Sequence, residues 1–200
     1  DGSTKECHAA RFGPLYAAFS GCVDVARDVF FEEFDEPCDW LHLPVDGPKA
    51  VNFYQASRAA TYAALVDRPA IREGGLLIVE AACPEGIGEG EGELACAEAM
   101  LRGKDVLLEE LRGEREIEGE ARGGQQRAYV LARALEWCDV ALVRSEAVRP
   151  TSNGAEPMDE LEAMGIGQFG TVEEALEAFS PGEVGRKVED VFHGVPRVGF

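Results

Sequence analysis

The sequence predicts an α/β chain, a Rossmann-like layered domain in which a mostly parallel or mixed sheet is flanked by helices. Three observations carry that reading. Leu76 to Ala82 (LLIVEAA) and Asp139 to Ser145 (DVALVRS) are nearly continuous apolar runs of strand length, the mark of strands covered on both faces. Segments with helical apolar spacing alternate with them. Glycine and proline breakers such as Gly47-Pro48, Gly74-Gly75 and Gly123-Gly124 separate the two kinds of segment. Strands alternating with helices of ten or more residues imply βαβ units.

Taken in order, Ala26, Val29, Phe30 and Phe34 recur at helical spacing, which predicts an amphipathic helix from Gly21 to just before Pro37 with a heavy aromatic face that needs a partner. Cys38 to Val45 (CDWLHLPV) reads as a strand. Asn52 to Val66 follows as a helix, with Asn52 at the N-cap and Gln55 three residues on in a capping-box arrangement. After the Leu76 to Ala82 strand come a Gly/Glu loop, Cys83 to Gly92, and a helix from Glu93 to Arg112. Gln125 to Trp137 is strongly periodic and leads into the Asp139 strand. Thr171 and Glu174 form a capping box that opens a helix ending at Phe179, before Pro181-Gly182.

Composition narrows the function classes. Two hundred residues that are 46 % hydrophobic and 28 % charged can bury a core without disulfide or metal staples, and no apolar stretch is long enough to span a bilayer. A net charge of −19 opposes nucleic acid and anionic membrane faces as partners, and is explained by solubility or by adaptation to high salt. Six cysteines without a Cys-x-x-Cys pair, and three histidines in all, argue against a zinc site. The absence of a secretory leader and of disulfide-scaffold spacing predicts a cytoplasmic protein. The first residue is aspartate, so a piece of a longer protein is expected.

In an open α/β sheet ligands gather at the carboxyl ends of the strands, here after Val45, Ala82 and Ser145. Glu85 to Gly92 has the glycines of a phosphate cradle, but its carboxylates would repel phosphate, so it reads as a solvated loop or a lid. Gly47 to Arg58 (GPKAVNFYQASR) is the most informative segment. With Asn52 at the cap, Tyr54, Gln55 and Arg58 share one helical face, beside free N–H groups and a positive helix end. A phenol, an amide and a guanidinium in that setting suit a small carboxylate or hydroxy acid. The same residues also admit a plain reading, with Gln55 completing a capping box and Arg58 pairing with a surface acid.

The segments GPKAVNFYQASRAA, EGGLLIVEAACPEGIG and GGQQRAYVLARALEWCDVALV, in that order, resemble the C-terminal domain of the nickel-pincer lactate racemase family. The stretch YAAFSGCVDVARDVFFEEF resembles the run-in from that family's N-terminal domain. The resemblance implies racemisation or epimerisation of 2-hydroxy acids, by hydride removal to a nickel-pincer nucleotide and its return to the other face of a bound 2-oxo acid. It places the cofactor, its tethering lysine and the proton-transferring histidines in the N-terminal domain, leaving the C-terminal domain to hold substrate. Tyr54 and Gln55 stand at the family's Tyr-Gln pair, Arg58 stands where lactate racemase has a lysine, and Gln126 stands where relatives have Trp or His. Both departures turn the expectation away from lactate itself. Neither His8, His42 and His193 nor Lys5, Lys49, Lys104 and Lys187 match the family's histidine and lysine motifs.

The sequence therefore predicts a remnant of a preceding cofactor-side domain and linker over residues 1–37 and a C-terminal α/β domain over 38–200. The chain alone is expected to be inactive and to hold no metal or cofactor. Its expected partners are a small 2-hydroxy acid and the missing N-terminal domain. The alternative is a non-catalytic small-molecule-binding or interaction domain of the same fold; a nucleotide-binding module rests on fold and glycines alone.

Overall fold

The computed structural model describes Cys7 and residues 9–117, 119–144 and 157–199. The chain enters through α1 (Leu15–Val29), none of whose residues is buried, and β1 (Phe31–Phe34). The helix expected to run on to Pro37 stops at Val29 because the next four residues pair in parallel with β7 (Val195–Val198) near the other end of the chain. That pairing carries Phe34 into the core, while Phe30 stays partly exposed and Phe31 lies under the Arg197 guanidinium, 4.2 Å from its ring centroid. Tertiary pairing overrides local periodicity here.

Five further strands form one all-parallel sheet: β2 (Cys38–Pro44), β3 (Ile71–Glu80), β4 (Asp139–Val143), β5 (Gly167–Phe169) and β6 (Gly185–Lys187), in the order β5-β4-β3-β2-β6. The chain steps from β2 to β5 in one direction, so right-handed crossovers place the intervening helices on one face. These are α2 (Phe53–Ala56), α3 (Arg58–Ala64), α4 (Glu91–Met100), α5 (Lys104–Arg112), α6 (Gln126–Trp137) and α7 (Pro157–Ala163). The return from β5 to β6 runs the other way and puts α8 (Val172–Phe179) alone on the opposite face.

The two cores follow from this asymmetry. Leu41, Leu43, Leu77 and Val79 face the large core with Leu107, Leu131 and Leu161; Leu76, Ile78, Ala141 and Val143 face a small one closed by Ala175, with Trp40, Phe169 and Phe179 around it. Alternate residues of β3 thus serve both cores, as expected of a strand covered twice. The capping box of α8 is present as predicted, Thr171 accepting from the Glu174 N–H and Glu174 from the Thr171 N–H.

Two predicted helices are each broken. Asn52 to Val66 divides at Ser57 into α2 and α3, and Glu93 to Arg112 divides where Gly103 takes a φ of +96°. No described helix is long and apolar enough to cross a membrane. The segment that follows β4 from Ser145 lies outside the described residues.

Candidate functional site

At the carboxyl edge of the sheet, Asn52 joins three segments. Its Oδ1 accepts the Gln55 N–H at 3.0 Å, while its Nδ2 donates to Glu85 at 3.2 Å and to Glu93 at 3.0 Å. Asn52 is 1 % exposed, and both ends of its amide are satisfied. Glu93 also accepts from the Glu89 and Gly90 N–H groups, both at 2.9 Å. Buried Arg144 ties down the start of the loop through the carbonyls of Ala82 and Cys83.

This wiring corrects one sequence reading. The first N–H groups of α2 are not free: Phe53 donates to the Gly86 carbonyl, Tyr54 to that of Ile87, and Gln55 to Asn52. The end of that four-residue helix is therefore filled by the protein itself and cannot receive an anion. The Gly/Glu loop is no phosphate cradle, since the Gly86 and Ile87 carbonyls face α2 and the N–H groups of Glu89 and Gly90 are held by Glu93, while Glu85, Glu89 and Gly90 stay exposed.

What the edge does present is positive charge around an aromatic ring. The Arg58 guanidinium carbon lies 6.0 Å from the Tyr54 ring centroid and that of Arg127 lies 5.7 Å from it. Lys49, in the turn after β2, sits 5.9 Å from the centroid of Phe192, which follows β6 and meets Tyr62 edge-on at 5.7 Å. β2 and β6 are neighbours at the point where the strand order reverses, a position where α/β sheets bind ligands. Among the described residues no carboxylate pairs with Lys49, Arg58 or Arg127. Arg58 Nε and Arg127 Nε and Nη2 are buried without acceptors. Desolvation, then the nearby charges of Arg58 and Arg127, hold the Lys49 ammonium below its usual pKa; desolvation and Arg58 do the same to Arg127.

The predicted residues are placed unevenly. Tyr54 and Arg58 come together as the sequence implies, and Gln55 is half-buried beside them. Gln126 is exposed at the start of α6, whereas its neighbour Arg127 reaches the cluster. Lys49 and Arg127 were not singled out by sequence, because the fold brings them in. The first turn of α4 and the start of α6 touch so closely that a Cβ on Gly124, whose φ is +89°, would lie 2.0 Å from the Gly92 carbonyl oxygen. That contact sets Arg127 against Tyr54, and the Gly-Gly pair before α6 was its only trace in the sequence.

His42 hydrogen-bonds Glu80 at 2.7 Å and His193 hydrogen-bonds Asp190 at 2.6 Å; His8 lies outside the described residues. No three His, Cys, Asp or Glu among the described residues converge as a metal-ligand set. Cys96, near Arg127, is no nucleophile at neutral pH, because burial pushes its thiol up to about 11. Burial likewise raises Cys83 to about 11 and Cys138 to about 12.

Against solved structures, the chain matches the lactate racemase apoprotein from Thermoanaerobacterium thermosaccharolyticum with a TM-score of 0.64 and 21 % identity, over 90 % of this chain and 40 % of that one. The fold is that of part of lactate racemase. A Thermotoga maritima protein solved by a structural genomics consortium matches with a TM-score of 0.56 and 12 % identity, over 92 % of this chain and 42 % of its own. This chain thus covers less than half the length of either of these structures. No family model matches it, and no curated protein matches it by sequence. What is shared at these identities is the fold, which bears out the expected α/β architecture and its resemblance to one part of lactate racemase.

Proposed function

We propose that this chain is the substrate-holding part of a 2-hydroxy-acid racemase or epimerase. The observation that carries the reading is the set of cations around Tyr54, with donors that no described carboxylate or carbonyl satisfies, at the ligand-binding edge of this fold. A buried guanidinium left without acceptors is costly unless a ligand completes it. In this reading Arg58 takes the substrate carboxylate, Tyr54 and Gln55 take its hydroxyl, and Gln126 sits on the exposed rim where a covering domain would close.

The described residues do not fit a nickel ion, since they bring no three metal-binding side chains together. That group is assigned to the remainder of the protein, and no step performed by this chain is routed through it. The chain's own task is to bind and orient the acid, to exclude water, and to keep the planar oxo form in place between its two faces. Residues 1–37 then belong to the preceding domain and linker, and 38–200 form the domain proper. In support, Leu15, Tyr16 and Phe19 of α1 are 88 %, 83 % and 65 % exposed, as expected of a segment whose packing partner lies elsewhere in the protein. A reducing, cytoplasmic setting fits the described cysteines, all of them free thiols.

Titration of the purified chain with D- and L-lactate and with propionate, followed by NMR, tests the reading. Saturable binding of the hydroxy acids that is tighter than binding of propionate, and lost in Arg58→Ala, is expected. Indifference to the hydroxyl, or wild-type affinity in Arg58→Ala, would overturn it. Turnover by the complete protein then separates an enzyme from a binding domain of the same fold.

A further inference from the structure

We propose that the acid bound here carries a second anionic group, a carboxylate or a phosphate ester, and that Arg127 and Lys49 select for it. The inference rests on the reading of Arg58 as partner of the first carboxylate.

The charge balance leads there. One carboxylate offset by Arg58 leaves a half-buried guanidinium and an ammonium on the same side of the sheet with nothing to neutralise them. The chain does not lack acids, having 38 Asp and Glu against 19 Lys and Arg. Elsewhere its arginines find them: Arg72 pairs with Asp39, Arg112 with Glu136, Arg122 with Glu98 and Arg197 with Glu33. Three bases gathered without one acid form a site whose complement must arrive from outside.

Arg58 and Arg127 approach the same Tyr54 ring from different helices, so with the first carboxylate at Arg58 the proposal assigns the second group to Arg127, on the α6 side. Beside Arg127 and Tyr62 an open, mostly apolar groove of about 430 Å³, lined also by Phe31, Val130 and Val195, leaves room for the carbon chain of a longer acid. Lys49 adds a point charge rather than a fork, tuned by desolvation and by both arginines.

Three acids that share the hydroxy-acid head test the proposal by titration calorimetry at low and high salt: lactate, malate and 3-phosphoglycerate. A charge-assisted contact to the second group should make malate or 3-phosphoglycerate bind about tenfold tighter than lactate. Preference for malate identifies a carboxylate, and preference for 3-phosphoglycerate a phosphate ester. In Arg127→Gln the preference should fall to about twofold or less, and Lys49→Gln should lower it part of the way. Arg133→Gln removes a charge from the outer face of the same helix and should leave the preference intact.

Equal affinity for lactate, malate and 3-phosphoglycerate in the native chain overturns the inference and leaves the Arg58 reading standing. So does a preference that survives in both Arg127→Gln and Lys49→Gln, or one that Arg133→Gln abolishes equally. Absence of saturable binding by all three acids removes the Arg58 reading and this inference together.

Discussion

Helix α6 carries two charged environments only two residues apart. Around Tyr129, the chain has built a set closed in charge: Tyr129 donates to Glu110 at 2.8 Å, Arg102 pairs with the same carboxylate, and the Glu110 side chain is 1 % exposed, while Arg102 Nε and Glu110 Oε1 are buried without a partner. Burial alone would raise the Glu110 carboxyl, yet the hydrogen bonds from Arg102 and Tyr129 outweigh it and hold the group below its usual range. Around Tyr54, Arg127 meets another arginine and a lysine instead, and its own acidity shifts the opposite way from that of Arg102. The same residue types therefore serve opposite ends. A buried charge paired inside the fold is costly to leave without its partner, whereas the charges around Tyr54 have no paired acid among the described residues.

The largest expected effect comes from breaking the closed set. Glu110→Ala removes the acceptor of both Arg102 and Tyr129 and should lower unfolding free energy by about 2–3 kcal/mol, less than a fully buried pair would lose because Arg102 can turn to water. Denaturant titration measures it. Affinity for hydroxy acids should remain native, and a joint loss of stability and binding would dissolve the distinction between the two regions.

Next in size is the corresponding cut in the open set. In the complete protein, Arg58→Ala should reduce kcat/KM about ten- to a hundred-fold, the worth of one charge-assisted hydrogen bond, while shifting folding by about 1 kcal/mol or less. Arg58→Lys should retain part of the activity by keeping the charge without the planar fork. Melting temperature measured beside kcat/KM separates the outcomes. Full activity in Arg58→Ala would leave Arg58 as an ordinary surface cation.

A smaller effect distinguishes the regions by pH. The folded state holds the Glu110 carboxyl below its ordinary value of 4.5, so as pH falls the unfolded chain takes up the proton first. The contribution of Glu110 is complete above about pH 4.5 and declines as pH drops through the folded value. The stability gap between native chain and Glu110→Ala should accordingly narrow below pH 4.5, where only the uncharged Tyr129 contact survives. A gap independent of pH down to 3 would mean that shape, not charge, accounts for it.

How far these regions could be foreseen depends on the range of the forces that make them. β2, β3 and β4 announce themselves by apolar runs, and Asn52 and Thr171 by capping chemistry that acts within three residues. The three- and four-residue strands β1, β5, β6 and β7 carry too little pattern of their own and exist because a neighbour pairs with them. Phe30 and Phe34 show the cost of trusting spacing alone, since i, i+4 aromatics here straddle a helix end and a strand. At the site, Tyr54 and Arg58 were legible because one short stretch of chain holds both. Arg127 and Lys49 were not, because their meeting depends on the Gly92 to Gly124 contact and on the strand order that brings the ends of β2 and β6 together.

The smallest effect is the most discriminating, because the two readings of Arg127 differ in sign. If Arg127 were structural, like Arg102, its removal would cost stability. Its environment argues otherwise: Nη2 as well as Nε is buried without an acceptor, where Arg102 leaves only Nε so, and Arg58 and Lys49 repel the charge. Arg127→Leu keeps the apolar stem that packs beside Tyr54 and deletes the unsatisfied donors. It forfeits a cation–π contact worth about 0.5–1 kcal/mol. Relief of repulsion and of buried unpaired polar atoms should match or exceed that loss, so stability is expected to stay native or to rise by up to about 1 kcal/mol. Preference for a dianionic acid should vanish in the same variant. Chemical denaturation resolves a change of that size when the slope is unaltered. Destabilisation by about 2 kcal/mol or more, on the scale of Glu110→Ala, would place Arg127 among the structural arginines and remove the contrast on which the open site is argued.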